Sequence, residues 1–149
     1  MKTSEIMKDL RTKHNLSQEE MAAKLLVTRQ AVSRWETGET QPNTDTLLLI
    51  SKAFGVSINT LLGQPQPLFC QACGMPLAED ALIAHEPDGS FNEDYCKYCY
   101  VDGVYAGAAT VGEMVEICLP HMGMPEEAAR AFLWERLPQL KHWKRTGAA

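Results

Sequence analysis

Four of the five cysteines form two C-x-x-C pairs, a spacing typical of metal-binding knuckles. The first pair is Cys70 and Cys73, the second is Cys96 and Cys99, and 22 residues separate the pairs. Two intervening residues let both thiolates of a pair turn toward one ion, so two pairs complete a tetrahedral site. Because cysteine fills all four positions, none is left open for water, and we expect one structural zinc ion.

Two other interpretations of the paired cysteines stay open, an iron–sulfur centre and thiol redox chemistry. A thioredoxin-like dithiol needs one C-x-x-C in a βαβ context, whereas this chain has two pairs. The fifth cysteine, Cys118, falls among apolar residues of a predicted helix, where we expect a buried apolar thiol. A ligand pair of Cys118 with His121 is the alternative. An odd cysteine count argues against a disulfide framework.

The residues around the knuckles predict a small ribbon. Residues 68–104 are rich in cysteine, glycine and aromatic residues, and the turn sequence P-D-G-S at 87–90 separates short strands. A capping box from Thr110 to Glu113 starts one helix, Pro125 starts another, and Pro138 interrupts that second helix. We therefore expect a zinc ribbon followed by two to three helices, with residues 68–104 dependent on zinc for folding.

The sequence before the cysteines predicts five short helices, which makes the whole chain mainly α. Ser17 and Glu20 form a capping box, Thr28 caps the next helix, Asn43 or Thr44 caps a fourth, and Ser57 caps a last turn. Leu47, Leu48, Ile50 and Phe54 of the fourth helix are core candidates, and Trp35 is expected in the core.

The charge distribution also divides the chain. Residues 1–63 carry a net charge of +1, whereas residues 64–149 carry −6. We predict domains at 1–63 and 68–149, joined by a proline-containing linker at 64–67. No apolar run approaches the roughly 20 residues of a membrane span. The first residues do not read as a secretory signal, so we expect a cytoplasmic protein.

Residues 16–38, L-S-Q-E-E-M-A-A-K-L-L-V-T-R-Q-A-V-S-R-W-E-T-G, closely resemble the phage-repressor/Cro-like (XRE-type) helix-turn-helix family, and the likeness continues to Leu62. Leu26 departs from the pattern, because many members carry glycine there. A leucine with positive φ costs about 1 kcal/mol, so we expect a slightly altered turn.

The resemblance implies double-stranded DNA as the partner, with the second helix of the motif in the major groove. Arginine and glutamine there suit guanine and adenine, because each can form two hydrogen bonds to one base. The implied base contacts come from Arg29, Gln30, Ser33 and Arg34. The implied phosphate or auxiliary contacts come from Gln18, Thr28, Thr37 and Asn43.

The second half resembles a bacterial zinc-ribbon family that is sometimes fused to repressor-like helix-turn-helix domains. The segments that carry the likeness, from about Phe69 to Trp143, are C-Q-A-C-G-M-P-L, Y-C-K-Y-C-Y, E-M-V-E-I-C and G-M-P-E-E-A-A-R. The resemblance implies the metal site but no biochemical activity.

Together these patterns predict a sequence-specific transcriptional regulator, expected to be a repressor that binds DNA as a homodimer. The zinc module would serve dimerisation or signal sensing, with a protein partner or small effector. The alternative is an antitoxin-like interaction module whose acidic half grips a basic partner and whose DNA binding serves autoregulation. We find no Ser/His/Asp grouping, open metal site or phosphate loop, so we do not expect an enzyme.

Overall fold

The computed structural model describes residues 1–63 and 66–147, so Gln64 and Pro65 of the predicted linker lie outside the described residues. The chain divides into two compact units, Met1–Gln66 and Pro67–Ala149. Below, the helix-turn-helix domain means residues 1–63 and the ribbon domain means residues 67–147. Across the described ranges, no helix is both long and apolar enough to cross a membrane.

The helix-turn-helix domain consists of five helices: α1 (Thr3–Lys13), α2 (Gln18–Leu25), α3 (Arg29–Thr37), α4 (Thr44–Phe54) and α5 (Ile58–Leu61). The predicted caps are confirmed, and Asn43 rather than Thr44 caps α4. Each capping oxygen accepts a bond from a backbone N–H that the first helical turn leaves without a partner.

The core of this domain is apolar and contains side chains from all five helices. Trp35 is buried, with 6% of its surface exposed, as expected. Leu48, however, is exposed, which corrects its predicted place in the core. In the run from Leu47 to Ile50, one face of α4 packs inward, and Leu48 lies on the other face.

The turn between α2 and α3 keeps the expected left-handed residue although it is leucine. Leu26 has φ 56° and ψ 39°, and its N–H donates to the carbonyls of Ala22 and Ala23. Its side chain is 88% exposed. The turn is therefore closed in the usual way, at the cost of a strained backbone conformation rather than an altered path.

The ribbon domain contains two small antiparallel sheets. Strands β1 (Ile83–His85) and β2 (Phe91–Cys96) pair around the predicted turn, with an irregularity between Ile83 and Ala84. Strands β3 (Tyr100–Val101) and β4 (Val104–Tyr105) form a second hairpin that the sequence analysis did not identify. Its turn is Asp102–Gly103, both with positive φ. The Asp-Gly dipeptide is a strong hairpin signal and could have revealed it.

Three helices follow the strands within the described residues: α6 (Val111–Cys118), α7 (Glu126–Arg136) and α8 (Lys141–Thr146). Pro125 is the residue before α7 rather than its first residue. A short 3₁₀ turn at Leu137–Gln139 contains Pro138 and separates α7 from α8, as expected of an interrupting proline.

The strands and the helices of the ribbon domain share one core. Leu77 and Ile83 of the ribbon pack in the same buried cluster as Val111, Leu133 and Trp143 of the three helices. Residues 68–104 are therefore not a separate folding unit. A dependence on zinc in the ribbon must extend to the helices packed on it.

Candidate metal centre and nucleic-acid interface

The first knuckle lies at the tip of a tight loop. Phe69 and Pro76 form an antiparallel bridge, and the N–H of Cys70 donates to the carbonyl of Met75 over 2.9 Å. The N–H of Gly74 donates back to the carbonyl of Cys70, also over 2.9 Å. Gly74 has φ +75°, a conformation that glycine adopts at little cost. The sequence therefore provides a turn that presents the thiols of Cys70 and Cys73 together.

The second knuckle joins the two sheets. Cys96 ends β2, and the N–H of Cys99 donates to its carbonyl over 3.1 Å. The carbonyl of Cys99 accepts from the N–H of Ala106, just beyond β4, over 2.8 Å. Cys70, Cys96 and Cys99 are buried and Cys73 is half-buried. The loop and the hairpins thus bring two pairs that are distant in sequence to one place.

The four thiols fit one tetrahedral zinc ion. Their sulfur atoms all lie within 4.8 Å of one another, and the Sγ atoms of Cys73 and Cys96 are 3.9 Å apart. Four sulfurs at about 2.3 Å from a tetrahedral zinc stand about 3.8 Å from one another. The donor set is all sulfur, so the site is closed to water, as in structural zinc sites. Zinc is thus the metal that the ribbon domain binds.

The four thiols also shift one another's pKa values. Hydrogen bonds from Cys73, Cys96 and Cys99 lower the pKa of the Cys70 thiol. Hydrogen bonding with the other three thiols raises the pKa of Cys99. The thiols therefore compete for negative charge when they have only one another as partners. A divalent cation removes this competition and allows all four to ionise.

The helices of the ribbon domain hold the backbone of the first knuckle. The backbone N–H of His142 donates to the carbonyl of Gln71 over 3.1 Å. The indole Nε1 of Trp143 donates to the carbonyl of Ala72 over 2.8 Å. The Sγ of Cys118 lies 3.7 Å from the carbonyl of Cys73. Helices α6 and α8 thereby fix the loop that presents two of the four ligands.

Cys118 is the fifth cysteine and is not a member of the four-thiol cluster. It is half-buried, and burial raises the pKa of its thiol. His121 is exposed, and among the described residues it belongs to no group of three or more side chains that could hold a metal. Cys118 packs against the core of the ribbon domain, which supports the expected packing role.

The recognition-helix residues lie on α3 in the helix-turn-helix domain. Arg29, Gln30 and Arg34 are exposed and Ser33 is half-buried. Arg34 Nε is 3.9 Å from Glu39 Oε1, and both side chains are largely exposed, so this pair holds the arginine only weakly. In the part of the chain that the structure describes, Arg29 and Gln30 form no side-chain hydrogen bond or ion pair.

Three of the other expected contacts already bind the backbone. Thr28 Oγ1 accepts from the N–H of Ala31 over 3.2 Å, and Asn43 Oδ1 accepts from the N–H of Thr46 over 2.9 Å. Thr37 Oγ1 donates to the carbonyl of Arg34 over 3.1 Å. Thr28 and Asn43 therefore cap α3 and α4, a role that fixes their side chains whatever else they contact.

A half-buried ion pair ties α1 to α3 and includes Gln18. Arg11 Nε is 2.5 Å from Glu36 Oε1, and Gln18 Nε2 donates to Glu36 Oε2 over 3.0 Å. Burial favours the neutral carboxyl, but the hydrogen bonds from Arg11 and Gln18 outweigh it, so the pKa of Glu36 is lowered. This pair was not predicted from the sequence, since Arg11 and Glu36 are 25 residues apart.

Comparison with known proteins matches each half of the chain to a family model. A family model described as "Putative zinc ribbon domain" matches residues 69–144, and a model described as "Helix-turn-helix" matches residues 7–61. The HTH-type transcriptional activator BcrR of Enterococcus faecalis is 47% identical over 62 residues, which cover 42% of this chain and 30% of that relative. The chain thus matches less than a third of the relative's length. Both resemblances seen in the sequence are confirmed.

Proposed function

We propose that this chain, which belongs to the "Putative zinc ribbon domain" family and carries a helix-turn-helix domain before the ribbon, is a sequence-specific transcriptional regulator. Its helix-turn-helix domain would read double-stranded DNA, and its zinc module would set the dimer that reads two half-sites. The similarity to an HTH-type transcriptional activator, over 62 residues, supports the first part of this proposal.

The observation that carries the proposal is the outer face of α3. Arg29, Gln30 and Arg34 project from this helix, and each can form two hydrogen bonds to one base edge. The opposite face, with Val32 and Trp35, is buried in the domain core. The helix is thus held by its apolar side while its polar side stays available for the major groove.

We propose that the second group of residues positions the domain on the phosphate backbone. Gln18 uses one amide N–H on Glu36, so a phosphate would accept its other N–H. Such contacts fix register and orientation without reading sequence. Thr28, Thr37 and Asn43 would contribute through the backbone N–H groups and helix ends that they order, as well as through their own side chains.

Repression is the direction of regulation that we propose. A bound repressor needs only to occupy a promoter, whereas an activator needs a further surface that contacts the transcription machinery. The named activity of the relative is activation, but its likeness to this chain covers only 30% of the relative. Transcription in vitro from a promoter with the selected site decides the direction. Increased transcript on addition of the protein would overturn repression and leave DNA reading intact.

The proposed DNA reading is tested by selecting duplexes from a random library with the zinc-loaded chain. We expect a partly palindromic site with half-sites about 34–36 Å apart, one helical turn, or a multiple of it. A library that shows no enrichment over repeated rounds at moderate salt would contradict the proposal.

The role of zinc in the dimer is tested by sedimentation. We expect a dimer for the zinc-loaded chain and a monomer for Cys96→Ser. Cys118→Ser is the matched control, because Cys118 lies beside the cluster without belonging to it. A Cys96→Ser chain that remains dimeric would assign dimerisation to the helix-turn-helix domain instead.

A further inference from the structure

Arg136, at the end of α7, lies between two phenylalanine rings beside the first knuckle. Its Cζ atom is 5.0 Å from the ring centroid of Phe69 and 5.9 Å from that of Phe132. Phe132 is one helical turn before Arg136, and Phe69 directly precedes Cys70, so two distant segments form the stack. A Cβ at Gly74 would lie only 3.2 Å from Arg136 Nε, so the glycine leaves room for the guanidinium.

The guanidinium of Arg136 has no anionic partner among the described residues. The ribbon domain has twelve acidic residues against six basic ones, so carboxylates are plentiful. Arg130 pairs with Glu116 and Glu126, and Lys141 pairs with Asp94. Arg136 instead stacks on rings, which leaves its in-plane N–H donors unused.

The two rings remain accessible to a partner. The exposed fraction is 36% for Phe69 and 43% for Phe132. Arginine and aromatic residues are the types enriched at the centres of protein interfaces, and here an arginine contacts two exposed rings.

We propose that Arg136, held between Phe69 and Phe132, is a docking point for a carboxylate on an acidic segment of a protein partner. The planar guanidinium would hold the carboxylate through two parallel hydrogen bonds. An apolar side chain next to that carboxylate would cover the rings. Residues 136–147 contain four basic residues and no acidic one. Lys141 and Arg145 pair with Asp94, so Arg136 and Lys144 are the charges left for an acidic segment.

A DNA phosphate is a less suitable occupant. The ribbon domain as a whole carries a charge of −6, which repels a duplex with its many phosphates more strongly than a segment with one or two carboxylates. Phosphate contacts also leave exposed rings uncovered. The proposed docking point lies in the ribbon domain and does not depend on DNA reading by α3, so the two proposals can fail separately.

The test follows the Arg136 Nε–Hε resonance by NMR in the full, zinc-loaded chain without DNA. The probe is the peptide Ac-Asp-Phe-Asp-Leu-amide, and Ac-Asn-Phe-Asn-Leu-amide is its neutral counterpart. We expect a saturable shift with the acidic peptide and at least about tenfold weaker binding of the neutral one. Equal binding of both peptides, or no saturable shift, would overturn the proposal.

Matched variants separate docking from folding. Arg136→Gln should weaken acidic-peptide binding, read from the Phe132 ring resonances, by about tenfold, and Arg136→Lys should weaken it less. Lys144→Gln removes a nearby charge that no ring holds, and it should leave the affinity within about twofold. Each variant must retain one zinc, so that the comparison is made on folded protein. Peptide affinity unchanged in a folded Arg136→Gln chain would contradict the docking point.

A final arm presents a short random-sequence duplex to the wild-type chain. We expect no shift of the Arg136 Nε–Hε resonance at duplex concentrations that saturate α3. A shift with the duplex and none with the acidic peptide would assign this arginine to phosphate and overturn the proposal.

Discussion

The two domains of this chain reach a buried core by different routes. The helix-turn-helix domain closes a core of ordinary apolar side chains, among them Met7, Met21 and Ile50. The ribbon domain buries three of its four knuckle cysteines in the centre of its core, next to Ala72 and Trp143. The first core is complete from side chains alone, whereas the second contains sulfur atoms that need a metal.

The two domains also differ in where in the sequence their folding information lies. In the first domain it is largely local, because α2, α3, α4 and α5 each follow directly on a residue whose side chain caps the helix. In the second it is distant, because Cys73 must meet Cys96 and Trp143 must reach Ala72. The first domain should therefore stay folded when the second is disrupted, whereas the strands and helices of the second domain should unfold together.

Removal of zinc is the change with the largest expected effect. Structural zinc contributes roughly 10–16 kcal/mol in small zinc domains at neutral pH, more than the net stability of most domains. We expect chelation or Cys96→Ser to unfold residues 67–147 together, including α6, α7 and α8, because they share the core with the knuckles. Hydrogen exchange should show loss of protection there and retained protection in α1–α4.

Three results of these measurements would contradict the proposed difference between the domains. Protection lost in both domains would mean that the helix-turn-helix core depends on the ribbon domain. Protection kept in α6 and α7 would mean that the helices fold without the knuckles. If freshly purified, reduced protein contains less than about half an equivalent of zinc, the ribbon domain does not depend on zinc for its fold.

Trp35→Ala is the reciprocal change, placed in the domain that needs no metal. Removal of a buried tryptophan typically costs about 3–5 kcal/mol, so this variant should unfold residues 1–63 at much lower urea. The ribbon domain should keep its zinc and its own transition, followed by fluorescence of Trp134 and Trp143. Trp134→Phe is the control, because Trp134 is largely exposed. Loss of zinc from Trp35→Ala would contradict independent cores.

The sequence predicted the first domain nearly completely and the second only in outline. Ser17, Thr28 and Ser57 could be assigned as caps because a cap and the N–H it binds lie three residues apart. The cysteine spacing identified the ligand set in the same way. The stack of Arg136 on Phe69 could not be predicted, because nothing local in either segment points to the other.

The apolar pattern predicted which residues are buried less well than the caps and cysteine spacing predicted the helix starts and the metal site. Ile117 of α6 belongs to the same apolar run as Met114 and Val115, yet it is exposed while they are buried. A short helix covers little of a small core, so only part of an apolar run packs inward. Periodicity alone does not show which part, since that depends on the helix packed against it.

Arg34→Ala tests whether DNA reading belongs to one domain alone. Loss of one bidentate base contact costs about 1–3 kcal/mol, or roughly 5- to 150-fold in affinity. We expect that loss together with relaxed preference at one base position, measured by competition binding on the selected site. Domain stability should not change, because Arg34 forms only a weak exposed pair with Glu39.

The control for this measurement is Lys144→Ala in the ribbon domain, which should leave sequence preference intact. Unchanged affinity and preference in Arg34→Ala would reject the proposed docking of α3. A changed base preference in Lys144→Ala would instead show that both domains read DNA.

Leu26→Gly is the smallest expected effect and tests local information at one residue. Leu26 adopts φ 56° with its side chain 88% exposed, so little burial is lost when the side chain is removed. Glycine relieves a left-handed conformation that costs about 1–2 kcal/mol. The greater freedom of glycine in the unfolded chain offsets this gain by about 0.5–1 kcal/mol. We therefore expect a gain of stability of at most about 1.5 kcal/mol, seen as a higher urea midpoint of the first domain alone. Gly55→Ala is the opposite control: Gly55 has φ +63° and no atom within 4 Å of an added Cβ, so this variant should lose stability through backbone strain only. A Leu26→Gly chain less stable than wild type would show that this exposed leucine makes a contact worth more than the strain it causes.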